Sequence, residues 1–544
     1  PIPLLEKPSP GELLLVERLV PEYSVSLNRF AVHLYRRLLA MLSDGEESDK
    51  QRARVYANLG IFLSYVGNRE EALKASSSAV EIFDRLALSN PAADQLALAM
   101  SLNNLGNHLS AVGRLREALK ALSGAVEICE RLASSNPDKY EPALAASLTN
   151  FGSLLSELGR REEALGPARR AVEIRERLAL SNPEAYEPAL ANSLTVLGTL
   201  LSEVGRREAA LVVGDRAVEI YERLVSSNPE AYEPVLAGSL TNLGKFLNEV
   251  GRREEALVAT RRAVEIYERL ASLNPAGYEP DLARSLMNIG ALLRELGYRE
   301  EALVATRRAV EIYERLASSN RAAYKPGLAT SLNNLGNLLG EEGHQEEALA
   351  PASRAVEIRE RLASSNAEAH EPDLADSLVN LGKLLSQVGR WEEALIAAGR
   401  AEEIYERLAT SNPEAYEPVL AASLNNLGNC LLQVGRWGEA VVVTSRAVEI
   451  RERLVLSNPE AYEPDLARSL GALGTIHLAS ENADEARDSF SRGIQVLSRL
   501  FNKHPKAFGN LMRGLIESYV EACKESGTEP DMDLLGQIDL DSLE

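Results

Sequence analysis

Disulfide chemistry is the first thing this sequence lacks. Its three cysteines, Cys129, Cys430 and Cys523, lie far apart and fit no metal or redox spacing, which points to a reducing, cytoplasmic compartment. Positive charge is in deficit: 59 Lys and Arg against 80 Asp and Glu leave a net charge of −21. Such a chain repels nucleic acid and anionic membrane surfaces, so neither is expected as a partner. No apolar run approaches the roughly 18 residues that cross a bilayer. No signal peptide is visible and the first residue is Pro1, so a piece of a longer protein is expected. Catalytic patterns are missing too. The six histidines never approach zinc spacing. Gly244-Lys245 and Gly382-Lys383 lack the upstream glycine and following Ser or Thr of a phosphate loop. No serine sits in a nucleophile elbow. Neither enzyme activity nor a cofactor is expected.

What is present is helix-forming material in repeated order. Aromatic residues are only 5%, and Ala, Leu, Glu and Arg are abundant, which favours helix over strand. A chain of 544 residues is too long for one compact core. The stretch SLNNLGNLLGEEG at Ser331 returns as SLNNLGNCLLQVG at Ser423 and as SLNNLGNHLSAVG at Ser101. Its glycine recurs as Gly60, Gly106, Gly152, Gly198, Gly244, Gly290, Gly336, Gly382, Gly428 and Gly474, always 46 residues apart. Ten units therefore span residues 55–514 without an insertion. Residues 1–54 read as a degenerate helical repeat or cap, 515–527 as a capping helix, and 528–544 as an acidic tail.

Each unit reads as two helices. Taking the unit from Tyr278, Pro280 falls in the first turn of helix A, and Gly297 ends it in the left-handed conformation. Arg299-Glu300-Glu301 then open helix B, and Ser318-Ser319-Asn320 close it. The expected lengths are about 16 and 20 residues. Ala302, Ala348 and Ala394, with Ala309, Ala355 and Ala401 seven residues later, repeat in step on helix B. Small residues at these places let two helices approach closely.

This pattern resembles the tetratricopeptide repeat. Leu335, Gly336, Gly343, Ala348 and Ala355 occupy that family's positions for Leu-Gly in mid helix A, the turn glycine and two alanines on helix B. The step is longer than the family's usual repeat, and Leu332 replaces its usual first-helix Trp. Longer repeats of this kind look like kinesin-light-chain arrays and like arrays fused to signalling NTPase or caspase-like domains. The resemblance implies an all-α, right-handed α-solenoid, a superhelix of stacked antiparallel helix pairs. It also implies a concave groove lined by helix A that binds a protein or extended peptide, as part of a larger signalling protein. An autoinhibitory arm and a pure spacer are the alternatives.

At about 100° per residue, Leu332, Leu335, Gly336, Leu338 and Leu339 share one broad side of helix A. Thr330, Asn334, Asn337 and Glu341 share a narrow opposite arc, which faces the groove if helix A lines it. The middle of that arc holds Asn58, Asn104, Asn150, Asn242, Asn288, Asn334, Asn380 and Asn426, and fails at Val196 and Ala472. A column of carboxamides suits the backbone of an extended peptide; equally, it suits bonding to the neighbouring helix. Glu157, Glu203, Glu249, Glu295 and Glu341 end successive A helices. They read as a face for a basic partner or as solvated pairs with turn arginines such as Arg160, Arg206 and Arg252. Lys245, Arg284 and Arg294, with Lys383 repeating the Lys245 position, form the candidate polar anchor. The tyrosines of the inter-repeat loop, among them Tyr140, Tyr186 and Tyr416, are expected to pack between units.

Overall fold

The computed structural model describes residues 25–42, 46–319 and 321–538. Among the described residues there are 23 helices and no strand. The architecture is an α-solenoid of stacked antiparallel helix pairs. One pair accounts for the whole step. Helix A, Pro137–Glu157, and helix B, Arg161–Ser181, each have 21 residues. Residues 158–160 turn between them, and Asn182 alone joins helix B to the next helix A, Pro183–Glu203.

Two local devices set these boundaries. At the turn, Gly159 takes φ 76°. Its N–H donates to the Ser156 carbonyl and the Arg160 N–H to the Leu155 carbonyl, both at 2.8 Å. Only glycine enters that left-handed conformation without a steric cost. Glycine does so at nine successive turns, from Gly67 to Gly435, and at the tenth Glu481 holds φ 61°. At the other junction Asn182 serves two helices. Its N–H closes helix B on the Leu178 carbonyl (3.0 Å), and its Oδ1 accepts from the Ala185 N–H (3.2 Å). Pro183 then takes the first position of helix A, where a missing N–H loses nothing.

Helix A is therefore longer than expected, 21 residues rather than about 16. Pro142, Pro188 and Pro280 lie inside it, in its second turn. Each interior proline removes one intrahelical hydrogen bond. The asparagine cap and the first proline, five residues upstream, start the helix all the same, because they satisfy its opening turn.

Two compact units divide the chain, Pro1–Leu292 and Leu293–Glu544. Within each, helices pack on their neighbours in sequence, and A helices of successive repeats also touch one another. Successive B helices are instead spanned by ion pairs, such as Arg216–Glu176 (2.6 Å), Arg354–Glu314 (2.7 Å) and Arg400–Glu360 (2.6 Å). The small residues lie at the A–B contact. Ala348 and Ala355 are fully buried, and a Cβ on Gly336 would lie 3.2 Å from both the Ala348 carbonyl oxygen and the Ala352 Cβ. Leu332 is 1% exposed, a burial worth about 1.5–3 kcal/mol. Tyr140, Tyr186 and Tyr416, expected in an inter-repeat loop, lie instead in the first turn of helix A and pack on the core clusters beside them.

The ends depart from the repeat. Helix Val25–Met41 buries Ala31, Leu34, Tyr35 and Leu38 beside helix Glu46–Tyr65. The earlier part of the expected degenerate repeat, residues 1–24, lies outside the described residues. Helix Pro505–Ser526 buries Met512, Leu515, Tyr519 and Cys523 against helix Ala483–Lys503. The tail docks there through Leu534 and Ile538, and the Asn502 side chain donates to the Gln537 carbonyl at 2.9 Å.

Candidate interaction face on helix A

Neighbouring A helices are stitched side by side by short polar side chains. Thr149 Oγ1 donates to the Ala145 carbonyl one turn back (2.8 Å) and accepts from Ser193 Oγ (3.0 Å). Thr195–Ser239 and Thr241–Ser285 repeat that contact at 3.2 Å. Such seams bury hydroxyls at little cost where each has a partner; Ser423 Oγ, facing Val379 in place of a threonine, is buried without one among the described residues.

The asparagine column divides into two groups. Asn150 donates to the Asn103 carbonyl oxygen of the preceding repeat (3.1 Å), and Asn380 donates likewise to Asn333 (3.3 Å). Those amides are spent inside the stack. The preceding position holds asparagine at both of these steps and Thr, Met or Val at several others, which explains the split. Asn104, Asn242, Asn288, Asn334 and Asn426 have no side-chain partner among the described residues, and Asn288 and Asn426 are exposed. Asn58 has a partner within the chain.

The glutamate column does something the sequence reading missed. Glu157 and Glu203 accept from Ser110 and Ser156 of the preceding repeat, and Glu249 accepts from Ser202 at 2.8 Å. Glu341 pairs with Arg294 at 3.1 Å. The turn arginines look elsewhere: Arg160 and Arg252 fork onto Glu163 and Glu255 (2.6 Å), and Arg206 reaches Glu162 (3.0 Å). The fork closes the first turn of helix B, and its hydrogen bonds hold the Glu163 and Glu255 carboxyls below their ordinary range. Three cations of the candidate anchor are likewise occupied. Lys245 lies 3.6 Å from Glu249, Arg284 pairs with Asp281, and Arg294 with Glu341. Lys383 is exposed without a partner among the described residues.

A second column, on helix B, also escaped the sequence reading. Phe83, Cys129, Arg175, Tyr221, Tyr267, Tyr313, Arg359, Tyr405, Arg451 and Leu497 recur in step and are buried. The alternation of tyrosine and arginine at one apolar position was the available signal. These side chains reach the seam between A helices. Tyr267 donates to the Pro234 carbonyl (3.2 Å), and Tyr405 donates to the Asp376 carboxylate. Arg175 donates to the Ala189 carbonyl (2.7 Å) and to Ser193 Oγ. Arg359 and Arg451 make the same pair of bonds, to Asp373 O and Ser377, and to Asp465 O and Ser469.

The surface depressions are shallow. One of about 370 Å³ lies on the B side, lined by Glu130, Glu141, Leu144, Arg170, Ile174 and Arg177. Among the described residues no group of three His, Cys, Asp or Glu side chains is placed to hold a metal, and no helix is long and apolar enough to cross a membrane.

Stacked helix pairs with close Gly–Ala contacts and an in-step polar face define a helical-repeat scaffold. Family comparison agrees: tetratricopeptide-repeat models match residues 97–177, 281–361 and 419–499, and residues 190–230, 236–275 and 374–410. The chain belongs to the tetratricopeptide-repeat family. No curated protein matches it. Among solved structures it is similar to BtubC (BKLC) from P. vanneervenii, at 25% identity over 46% of this chain and 92% of that one, with a TM-score of 0.39. It is also similar to a putative kinesin light chain of nearly identical TPR-like repeats from Podosopora anserina. That match has 20% identity over 41% and 98% of the two chains, with a TM-score of 0.35. The apo form of RapI matches at 16% identity over 53% and 92%, with a TM-score of 0.38.

Proposed function

We propose that this chain is a non-enzymatic scaffold whose A-helix face holds an extended protein segment. Tetratricopeptide repeats generally serve protein–protein interaction. The observation that carries the finer reading is the set of unspent amides, Asn104, Asn242, Asn288, Asn334 and Asn426, repeated in step on helix A. A carboxamide offers one acceptor and two donors, the complement of a peptide backbone. Three buried free thiols, Cys129, Cys430 and Cys523, favour a reducing compartment. The reading we adopt is a cytoplasmic partner-docking region of a larger signalling protein.

The test pans a displayed library of unstructured 12-residue peptides and measures bound sequences by calorimetry. Two variants follow, Asn242→Ala with Asn288→Ala, and Asn334→Ala with Asn426→Ala. At least one lowers affinity about tenfold, roughly 1.4 kcal/mol, while helicity and melting stay unchanged. Unaltered affinity in both removes the proposal. The spacer reading draws on Asn150 and Asn380, whose amides are satisfied internally; it gains if no peptide binds.

A further inference from the structure

Arg175 is a buried cation with no ion pair among the described residues. It is 7% exposed, and its hydrogen bonds run to two neutral oxygens, the Ala189 carbonyl and Ser193 Oγ. Burial pushes its pKa down to about 10, and the one ionisable neighbour acting on it is Tyr221. At neutral pH the guanidinium remains charged. Enclosing such a charge without an anion is unfavourable.

Its counterparts in other repeats are completed differently. Arg359 has Asp373 and Asp376 acting on it and a third bond to Thr330 Oγ1 (3.2 Å). Arg451 has Asp465 acting on it. At the matching places around Arg175 stand Ala189 for Asp373, Asn192 for Asp376, and Ala146 for Thr330. Two carboxylates and a hydroxyl are thus replaced by two methyl groups and an exposed carboxamide. Ala146 and Ala189 are both partly exposed on the A face. Shorter or uncharged side chains thus stand around Arg175 at the positions that Thr330 and the aspartates hold around Arg359. In the same repeat the asparagine column is interrupted by Val196, so the polar contact offered there comes from the floor of the face rather than from its rim.

We propose that Arg175 receives a carboxylate of the bound protein segment, with Ala146, Ala189 and Asn192 framing the entry. The incoming group supplies the negative charge that Asp373 and Asp376 bring to the surroundings of Arg359. A planar carboxylate matches the guanidinium fork, and bonds between two charged partners are the strong ones. This assignment rests on the A-face reading above.

The experiment follows the arginine Nε–H resonances of nitrogen-15-labelled protein, assigned by difference with Arg175→Tyr and Arg359→Tyr. Tyrosine is a safe replacement, since Tyr221, Tyr267, Tyr313 and Tyr405 fill the same position in other repeats. The probes are acetyl-Gly-Gly-Glu-Gly-Gly-amide, its Gln counterpart, and pentaglycine with a free C-terminus. The expected result is a saturable shift of Arg175, with Arg359 unmoved. The Glu peptide, the free-ended peptide or both bind about tenfold more tightly than the Gln peptide. Which of the two binds assigns the carboxylate to a side chain or to a chain end. Arg175→Tyr removes the preference, Arg359→Tyr keeps it, and Arg175→Tyr melts no lower than the parent because a lone buried charge has gone. Equal shifts with all three probes, or none, overturn the proposal. Loss of library-peptide binding in the asparagine variants with no carboxylate preference at Arg175 sinks this inference and leaves the A-face reading standing.

Discussion

Replacing Gly244 by alanine tests whether helix A is seated on helix B by the absence of a side chain. A Cβ there would lie 2.2 Å from Thr260 Oγ1 and 3.2 Å from the Ala256 carbonyl oxygen. Thr260 yields poorly: it is 3% exposed and its hydroxyl donates to that same carbonyl at 2.8 Å. Turning the hydroxyl away leaves it unpaired in the core, at about 1–3 kcal/mol. The carbonyl belongs to the helix backbone and cannot turn at all. Overpacking of this kind costs about 1–3 kcal/mol, and alanine's helix propensity returns about 1 kcal/mol relative to glycine. The net expectation is a loss of about 1–5 kcal/mol. Stability in a repeat array is a sum of local terms, so a single global midpoint is a poor readout. The assay is amide hydrogen exchange within helices Pro229–Glu249 and Arg253–Leu273. Adding Thr260→Ala removes the nearer obstacle and recovers most of the loss. Exchange that stays unchanged or slows with Gly244→Ala alone refutes the close-approach argument.

Glu481 holds a left-handed backbone, φ 61°, where nine other turns have glycine; Glu481→Gly should stabilise the last repeat by about 0.5–1 kcal/mol in local exchange. His108 is 7% exposed, its Nδ1 lies 2.6 Å from Ser76 Oγ, and burial holds its pKa below the ordinary 6.5. A depressed histidine contributes stability that is complete above 6.5 and is lost as pH falls toward the folded value. His108→Leu, the residue at Leu154 and Leu200, should therefore flatten the change in melting between roughly pH 7 and pH 5. Arg262 bridges Glu222 at 2.5 Å between half-exposed side chains, so Arg262→Ala should cost under about 1 kcal/mol by denaturant titration, less in high salt.

How far the primary structure carried is clearest in particular residues. The recurring Gly336, Gly343, Ala348 and Ala355 sufficed to call paired helices and the family, because close approach and chain reversal each require a small residue at a set interval. Helix starts were less legible. Pro280 competes with the asparagine and proline upstream, and only the hydrogen bonds of Asn182 show which of the two begins a helix.

The candidate site was legible as a column of positions and not as chemistry. Sequence alone determined that Asn104 and Asn150 lie on one face, since helical geometry follows from spacing. Which amide is spent was decided by the lateral neighbour 47 residues earlier: asparagine at Asn103 takes up Asn150, whereas alanine at Ala57 offers Asn104 nothing. The same holds for Glu157, claimed by Ser110 and not by its nearby turn arginine. Arg175, an unremarkable letter on an amphipathic helix, became a buried cation only when two A helices closed over it. Spacing along the chain encodes a helix and its faces; the partners of each polar group depend on how one helix is set beside the next, and only packing in three dimensions decides that.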